Sequence, residues 1–308
     1  MKKVCKIALC VVFILILAAC LLRVNYVFRD KQYAGIQEAF KKWDPQHADI
    51  VFIGNSHQFC SVDPMLIADE YNMDTFMLAT SAQTIPMSYY AAMEAIELNK
   101  PDKIVLELCY VANDFMLVDG MDRCFFDGMP MCKAKREAIK DLVPKKERIY
   151  YYLPLGLYHS RWKELDEDDF GGFDVNERGG VYYPDDCVWT TDIPLVDESE
   201  KAPMPEKMEE YLLKIFELCK NEGVELICYI APFYTTDGSD YGVYDLLNRE
   251  RIFNYATDLC QRNDVECYNL FYKIDEIGLD QKTDWKDYQH LNASGQAKFT
   301  RYLMPLIQ

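Results

Sequence analysis

Twelve cysteines are present but no Cys-x-x-Cys pair, and the four histidines, His47, His57, His159 and His290, include no two at metal-ligand spacing. On that ground no zinc site is expected, nor any other metal or cofactor. Positive charge is also scarce. Beyond the first 29 residues, 28 basic residues stand against 50 acidic ones, a net charge of −22. Phosphate backbones are repelled by such a body, so nucleic acid is not a partner. There is no low-complexity tract and no internal repeat. Half of the chain is apolar, enough for one large or two small domains with a packed core. Cys124 and Cys132 flank a Gly/Pro-containing loop and can close a small disulfide in an oxidising exterior, whereas thiols such as Cys228 suit a buried strand.

Residues 1–29 hold five basic residues and no acid, and the apolar run Ile7–Leu22 lies between Lys2, Lys3, Lys6 and Arg23. This is a membrane-directed segment outside the fold. Sixteen helical residues reach roughly 24 Å, short of the ~30 Å hydrocarbon core, and Val24–Phe28 with snorkelling Lys6 and Arg23 make up the difference. The lysines before the run favour a cytoplasmic N-terminus, which puts the body outside the cell. A competing reading takes Leu17-Ala18-Ala19-Cys20 as a lipoprotein box with lipidation at Cys20, although apolar residues follow where a polar linker is usual. Both readings tie an extracytoplasmic body to the membrane. A mixed-charge linker helix within residues 30–48 is expected to lift the body off the bilayer.

From residue 49 to 308, β-type and helical patterns alternate. Strands are predicted at 50–53, 75–79, 103–108, 224–230 and 265–270, and helices at 64–71, 87–98, 205–221, 248–262 and from 293 to the end. The expected fold is a three-layer α/β/α, flavodoxin-like domain with a mostly parallel sheet of about five strands. Residues 125–203 break the rhythm and read as an insertion over the carboxyl edge of the sheet. Its aromatics Tyr151, Tyr152, Tyr182, Tyr183 and Trp189 are either sugar-stacking platforms or plain packing residues.

The buried-strand run Ile50–Ile53 stops at Gly54-Asn55-Ser56-His57, so Ser56 is expected in the crevice at the carboxyl end of a strand. Near the other end stands Asp287-Tyr288-Gln289-His290-Leu291-Asn292-Ala293-Ser294-Gly295. A serine needs a base to take its proton, and the base needs an acceptor that fixes its tautomer. Asp-x-x-His supplies both from one loop. With Gln58 where a second glycine would stand, the early stretch is not the Gly-x-Ser-x-Gly elbow.

These paired stretches resemble the SGNH (GDSL-like) hydrolase superfamily from about residue 45 to the end, with Asn55 and His57 departing from Gly-Asp-Ser-Leu. The resemblance implies Ser56 as nucleophile, His290 as base and Asp287 as its partner. It also implies an oxyanion hole built from the N–H of Ser56, a donor after the second strand and an asparagine after the third. The second loop has no glycine, which leaves a backbone N–H of Ser81 or Ala82. In the third loop Asn113 comes two residues late. His57 is read as a loop or partner-contact residue. The anchor and insertion resemble extracellular members that work beside membrane-bound O-acyltransferases on teichoic acids or envelope glycans. The implied activity is an esterase or O-acyltransferase acting through an acyl-serine. The alternative is a non-catalytic scaffold that binds polymer or acyltransferase.

Overall fold

A computed structural model describes the chain except residues 1, 30, 46, 118–119, 172–177, 185–195 and 234–242, and the side chains of 2, 31–34 and 243–246. Five strands, β1 (Ile50–Gly54), β2 (Thr75–Ala79), β3 (Lys103–Glu107), β4 (Glu225–Ile230) and β5 (Glu266–Asn269), form one sheet in the order β2-β1-β3-β4-β5. All four pairings are parallel. Parallel strands need crossovers that cover both faces with helices, which is why β1, β2 and β3 are buried end to end and are apolar through their centres.

The helices, in chain order, begin with α1 (Lys2–Phe28), α2 (Lys31–Lys42), α3 (Ser56–Ser61), α4 (Pro64–Tyr71), α5 (Ile85–Leu98), α6 (Asp122–Phe126) and α7 (Lys133–Leu142). They continue with α8 (Arg148–Tyr152), α9 (Leu155–Tyr158), α10 (Glu167–Phe170), α11 (Glu206–Glu222), α12 (Val243–Arg262), α13 (Ile274–Ile277) and α14 (Ala293–Ile307). Helices α5 and α11 pack together on one face, and α3, α4 and α14 pack together on the other. The result is the expected three-layer α/β/α architecture. Phe299 of α14 stacks on Tyr229 of β4 at 5.7 Å, joining that second layer to the sheet.

Two expectations need correction. Helix α2 is no free-standing spacer, because Phe40 is buried and its ring lies 5.0 Å from Phe76 of β2, while Trp43 lies 5.3 Å from the same ring. Burying that aromatic cluster outweighs anything gained by exposing it to water. Nor does most of the described insertion roof the carboxyl edge of the sheet, although residues 181–183 reach it, where Ala293 N donates to Tyr183 O at 2.9 Å and Lys286 lies over the Tyr183 ring at 3.6 Å. Helices α6 and α7 pack on α2 and α5, α9 and α10 touch α1, and residues 178–179 run beside β2, where Met77 N donates to Arg178 O at 2.9 Å. Tyr151 is a packing residue, edge-on to Phe126 and under the Arg123 guanidinium at 3.9 Å. Tyr152 and Tyr182 are exposed, and Trp189 lies outside the described residues. No disulfide joins Cys124 to Cys132, whereas Cys228 is buried in β4 as its sequence suggests.

Candidate active site

Gly54 ends β1 where a side chain has no room. A Cβ there would come within 2.7 Å of Gln58 Cβ and 3.0 Å of Glu107 Cβ. The chain then turns directly into α3, a short helix that the sequence pattern did not reveal. Asn55 is its N-cap, accepting from His57 N at 2.8 Å, and Ser56 is its first residue. The N–H groups of a first helical turn have no partner within the helix, so Ser56 presents both its hydroxyl and its amide at the carboxyl end of the strand.

The second half of the site is a short loop closed on itself. Trp285 and Leu291 form an antiparallel bridge, and Lys286 N donates to His290 O at 2.9 Å. Asn292 caps α14 by accepting from Ser294 N and Gly295 N, and its own amide donates to Thr283 O at 2.8 Å. Gly295 lets α14 press against the loop, since a Cβ there would stand 2.2 Å from Asp284 O. The residues Leu-Asn-x-x-Gly after the histidine are therefore the supports that hold it.

Across the gap, His290 Nε2 lies 2.8 Å from Ser56 Oγ, and His290 Nδ1 lies 2.9 Å from each oxygen of Asp287. Asp287 Oδ1 also accepts from Gln289 N at 2.8 Å and His290 N at 2.9 Å. Burial raises the Asp287 pKa, but the hydrogen bond and charge of His290 and the two backbone N–H groups outweigh it and hold the carboxyl below its ordinary value. With the carboxylate ionised, Nδ1 carries the proton and Nε2 is free to accept one from Ser56. The side chains of His290 and Asp287 are 20% and 34% exposed, so the row is reachable from solvent.

His57, read from the sequence as a loop or partner-contact residue, is instead a buried residue of α3. Only 3% exposed, it packs against Phe233 at 5.1 Å and His290 at 5.3 Å. Burial, then the charges of His290 and Arg249, push its pKa well below the ordinary histidine value, so it is neutral at physiological pH. It lines a narrow pocket with Tyr110, Asn113, Phe233, Arg249 and Gln289.

The oxyanion candidates separate. Asn113 reaches this pocket because a 3₁₀ turn, Cys109–Ala112, takes up the extra residues after β3. Arg249 Nη1 donates to Asn113 Oδ1 at 3.0 Å, which leaves the amide nitrogen as the donor end. Ser81 sits in the turn after β2, and no hydrogen bond links it to Ser56, His290 or Asp287 among the described residues. Its neighbour Ala82 has φ +53°, the left-handed conformation that glycine adopts without strain. Gln83 ties the turn down by accepting from Thr80 N at 3.2 Å and Thr80 Oγ1 at 2.9 Å. Sequence reasoning missed Arg249 and Phe233, for which no local motif exists.

Beneath Gly54 lies Glu107, 1% exposed, with Oε1 accepting from Cys109 N and Ala231 N. Burial pushes its pKa up to about 8.

A serine–histidine–aspartate row at the carboxyl edge of a parallel sheet is an arrangement competent for nucleophilic acyl chemistry. No family model and no curated protein matches the chain. Among solved structures, it is similar to a GDSL-like lipase from Bacteroides thetaiotaomicron at 11% identity, covering 92% of this chain and 98% of that one with a TM-score of 0.44. An acetyl xylan esterase is similar at 11% identity, with 84% and 100% covered and a TM-score of 0.41.

Proposed function

We propose that the protein is a membrane-anchored, extracytoplasmic serine esterase or O-acyltransferase of the SGNH type. The carrying observation is the continuous row from Asp287 through His290 to Ser56, with contacts of 2.9 and 2.8 Å. Ser56 Oγ attacks an acyl carbonyl and its proton passes to His290 Nε2. The resulting oxyanion is met by the Ser56 N–H, a backbone N–H of the Ser81–Ala82 turn and the Asn113 amide. Collapse returns the proton to the departing alcohol and leaves an acyl-Ser56. Attack by water on that ester completes hydrolysis, and attack by a sugar hydroxyl completes transfer.

Helix α1 is apolar from Lys3 to Phe28, with mean hydropathy 3.0 over its best window. Read as an anchor, with the lysines inside, it holds the site beside a membrane-proximal polymer and raises the effective concentration of that substrate and of a membrane-bound acyltransferase partner. A teichoic acid or envelope glycan fits this placement, and the net charge of −22 on the body favours a neutral or zwitterionic glycan over an anionic one.

One observation favours the scaffold reading, namely that the second oxyanion loop has no glycine although Ala82 in it stands at φ +53°. A fluorophosphonate probe separates the two. Covalent labelling of the wild type that disappears in Ser56→Ala is the expected result, and an unlabelled wild type would leave the scaffold. In cells, Ser56→Ala should change the O-acyl content of an envelope glycan, downward for a transferase and upward for a deacylase.

A further inference from the structure

The end of α1 is built into the body. Arg23 Nη2 donates to Phe170 O at 3.1 Å and Tyr26 OH to Gly171 O at 3.0 Å, while Asn25 Oδ1 accepts from Leu155 N at 3.0 Å. Arg161 Nη1 donates to Phe28 O and Arg29 O, both at 2.8 Å, so an arginine of the insertion caps the carbonyls at the end of the helix. Its other nitrogen is fixed by Asp169 at 2.8 Å. The segment from α9 to α10 is thus held against the last two turns of α1, the level at which an anchor leaves the bilayer, and α8 packs on α9.

That same segment exposes large apolar side chains. Trp162 is 63% exposed, Leu153 60%, Phe170 55%, Ile149 54%, Leu157 44% and Tyr152 37%. Single exposed apolar residues are ordinary, but a cluster of this kind marks a surface that meets something other than water. Its charge points to what it meets. Residues 133–163 contain nine basic and three acidic residues, in a body whose net charge is −22, while residues 164–169 add five acids at the far end of the segment, so the positive rim is the side of Lys145 to Arg148 and Lys163. Lys145, Lys146 and Arg148 adjoin the apolar side chains in sequence, and Lys163 lies over the Trp162 ring at 5.4 Å. Tryptophan and tyrosine beside aliphatic residues, rimmed by lysine and arginine, are the composition of a surface that beds into lipid headgroups.

We propose that residues 148–170 form a second, monotopic membrane contact. In it Trp162, Leu153, Leu157 and Phe170 enter the headgroup–acyl boundary around the exit of α1, and Lys145, Lys146 and Arg148 attract anionic lipid. The inference rests on the anchor reading of α1. It adds that the body cannot swivel about its anchor, because the bilayer holds it on two sides. A protein partner is disfavoured as occupant because the patch adjoins the exit of the helix, where lipid is already present.

The test uses the full chain in vesicles of phosphatidylcholine and phosphatidylglycerol whose acyl chains are brominated near the headgroup. Trp162 emission is taken as the difference between the wild type and Trp162→Phe. The expected result is a quenched, blue-shifted Trp162 signal that diminishes in Leu153→Asp/Leu157→Asp. With Lys145→Gln/Lys146→Gln/Arg148→Gln, its dependence on phosphatidylglycerol should be lost. The substituted leucines, lysines and Trp162 are exposed, but Arg148 also donates to Val143 O and Lys140 O at the end of α7, so Lys145→Gln/Lys146→Gln is measured beside the triple variant, and circular dichroism verifies the fold of each. If the chain floats with the vesicles and α1 is shielded from added protease, yet Trp162 stays unquenched, the patch is overturned while the anchor stands. A chain that does not float removes the anchor reading and this proposal together. Protection of Trp162 in native membranes but not in pure lipid would assign the patch to a protein partner and overturn the lipid contact.

Discussion

Replacing Asp287 by asparagine changes one atom and tests the whole proton relay. Asp287 Oδ1 accepts from Gln289 N at 2.8 Å and His290 N at 2.9 Å, and both carboxylate oxygens lie 2.9 Å from His290 Nδ1. An asparagine can keep its oxygen on the two backbone donors, which preserves the loop and limits the stability loss to about 1–2 kcal/mol. Its amide nitrogen then faces His290 Nδ1 and donates to it. The imidazole proton is forced onto Nε2, the atom 2.8 Å from Ser56 Oγ, where a donor cannot take the serine proton. In serine proteases the equivalent exchange lowers turnover by about four orders of magnitude, roughly 5.5 kcal/mol of transition-state stabilisation. The assay is the second-order rate of fluorophosphonate labelling of Asp287→Asn against the wild type, with circular dichroism and thermal melts as controls. A folded variant that labels within about tenfold of the wild type would refute the relay, because His290 would not need Asp287 to hold its tautomer.

Three further outcomes follow from the same geometry. His290→Ala should lower labelling by about three orders of magnitude or more, whereas His57→Ala, which removes a neutral packing ring, should cost less than about tenfold in labelling and about 1–3 kcal/mol in stability; the opposite ranking in paired rate measurements would reassign the base. Gly54→Ala places a methyl 2.7 Å from Gln58 Cβ in α3 and should cost about 1–3 kcal/mol in a denaturant melt, with slower labelling as Ser56 shifts. Glu107 has its pKa raised from 4.5 to about 8 by burial, so between those values the folded state holds a proton that the unfolded state releases, and stability falls as pH rises through this window. Glu107→Gln keeps the acceptor for Cys109 N and Ala231 N and removes that penalty. Its gain over the wild type should be near zero at pH 4.5 and grow to at most about 4 kcal/mol by pH 8, and a gain independent of pH would show that Glu107 is not the titrating group.

The sequence by itself determined the alternation of strands and helices and the parallel sheet, because strands buried on both faces must be apolar through their centres and their ends must break. Ile50–Ile53 before Gly54 and Thr75–Ala79 carried that signal locally, and so did the run of α1. The residue types of the candidate site were legible too. A serine after a buried strand and an aspartate three residues before a histidine are short-range patterns, and Leu291, Asn292 and Gly295 proved to be the fixtures of that same loop. What the tertiary structure decided was everything that depends on distant segments meeting. His57 is adjacent to Ser56 in sequence, yet its burial is set by Phe233 and His290, which come from other parts of the chain. Asn113 stands too late by counting and enters the pocket only because a 3₁₀ turn folds the excess away and Arg249, 136 residues on, holds its oxygen. Helix α2 looks like a spacer from its mixed charge, but Phe40 and Trp43 find Phe76 only once β2 is in place. The insertion, irregular in sequence, acquires its position from Arg161, whose partners Phe28 and Arg29 lie more than 130 residues earlier. Local periodicity records which face of an element is apolar. Which other element covers that face is recorded only by the packing.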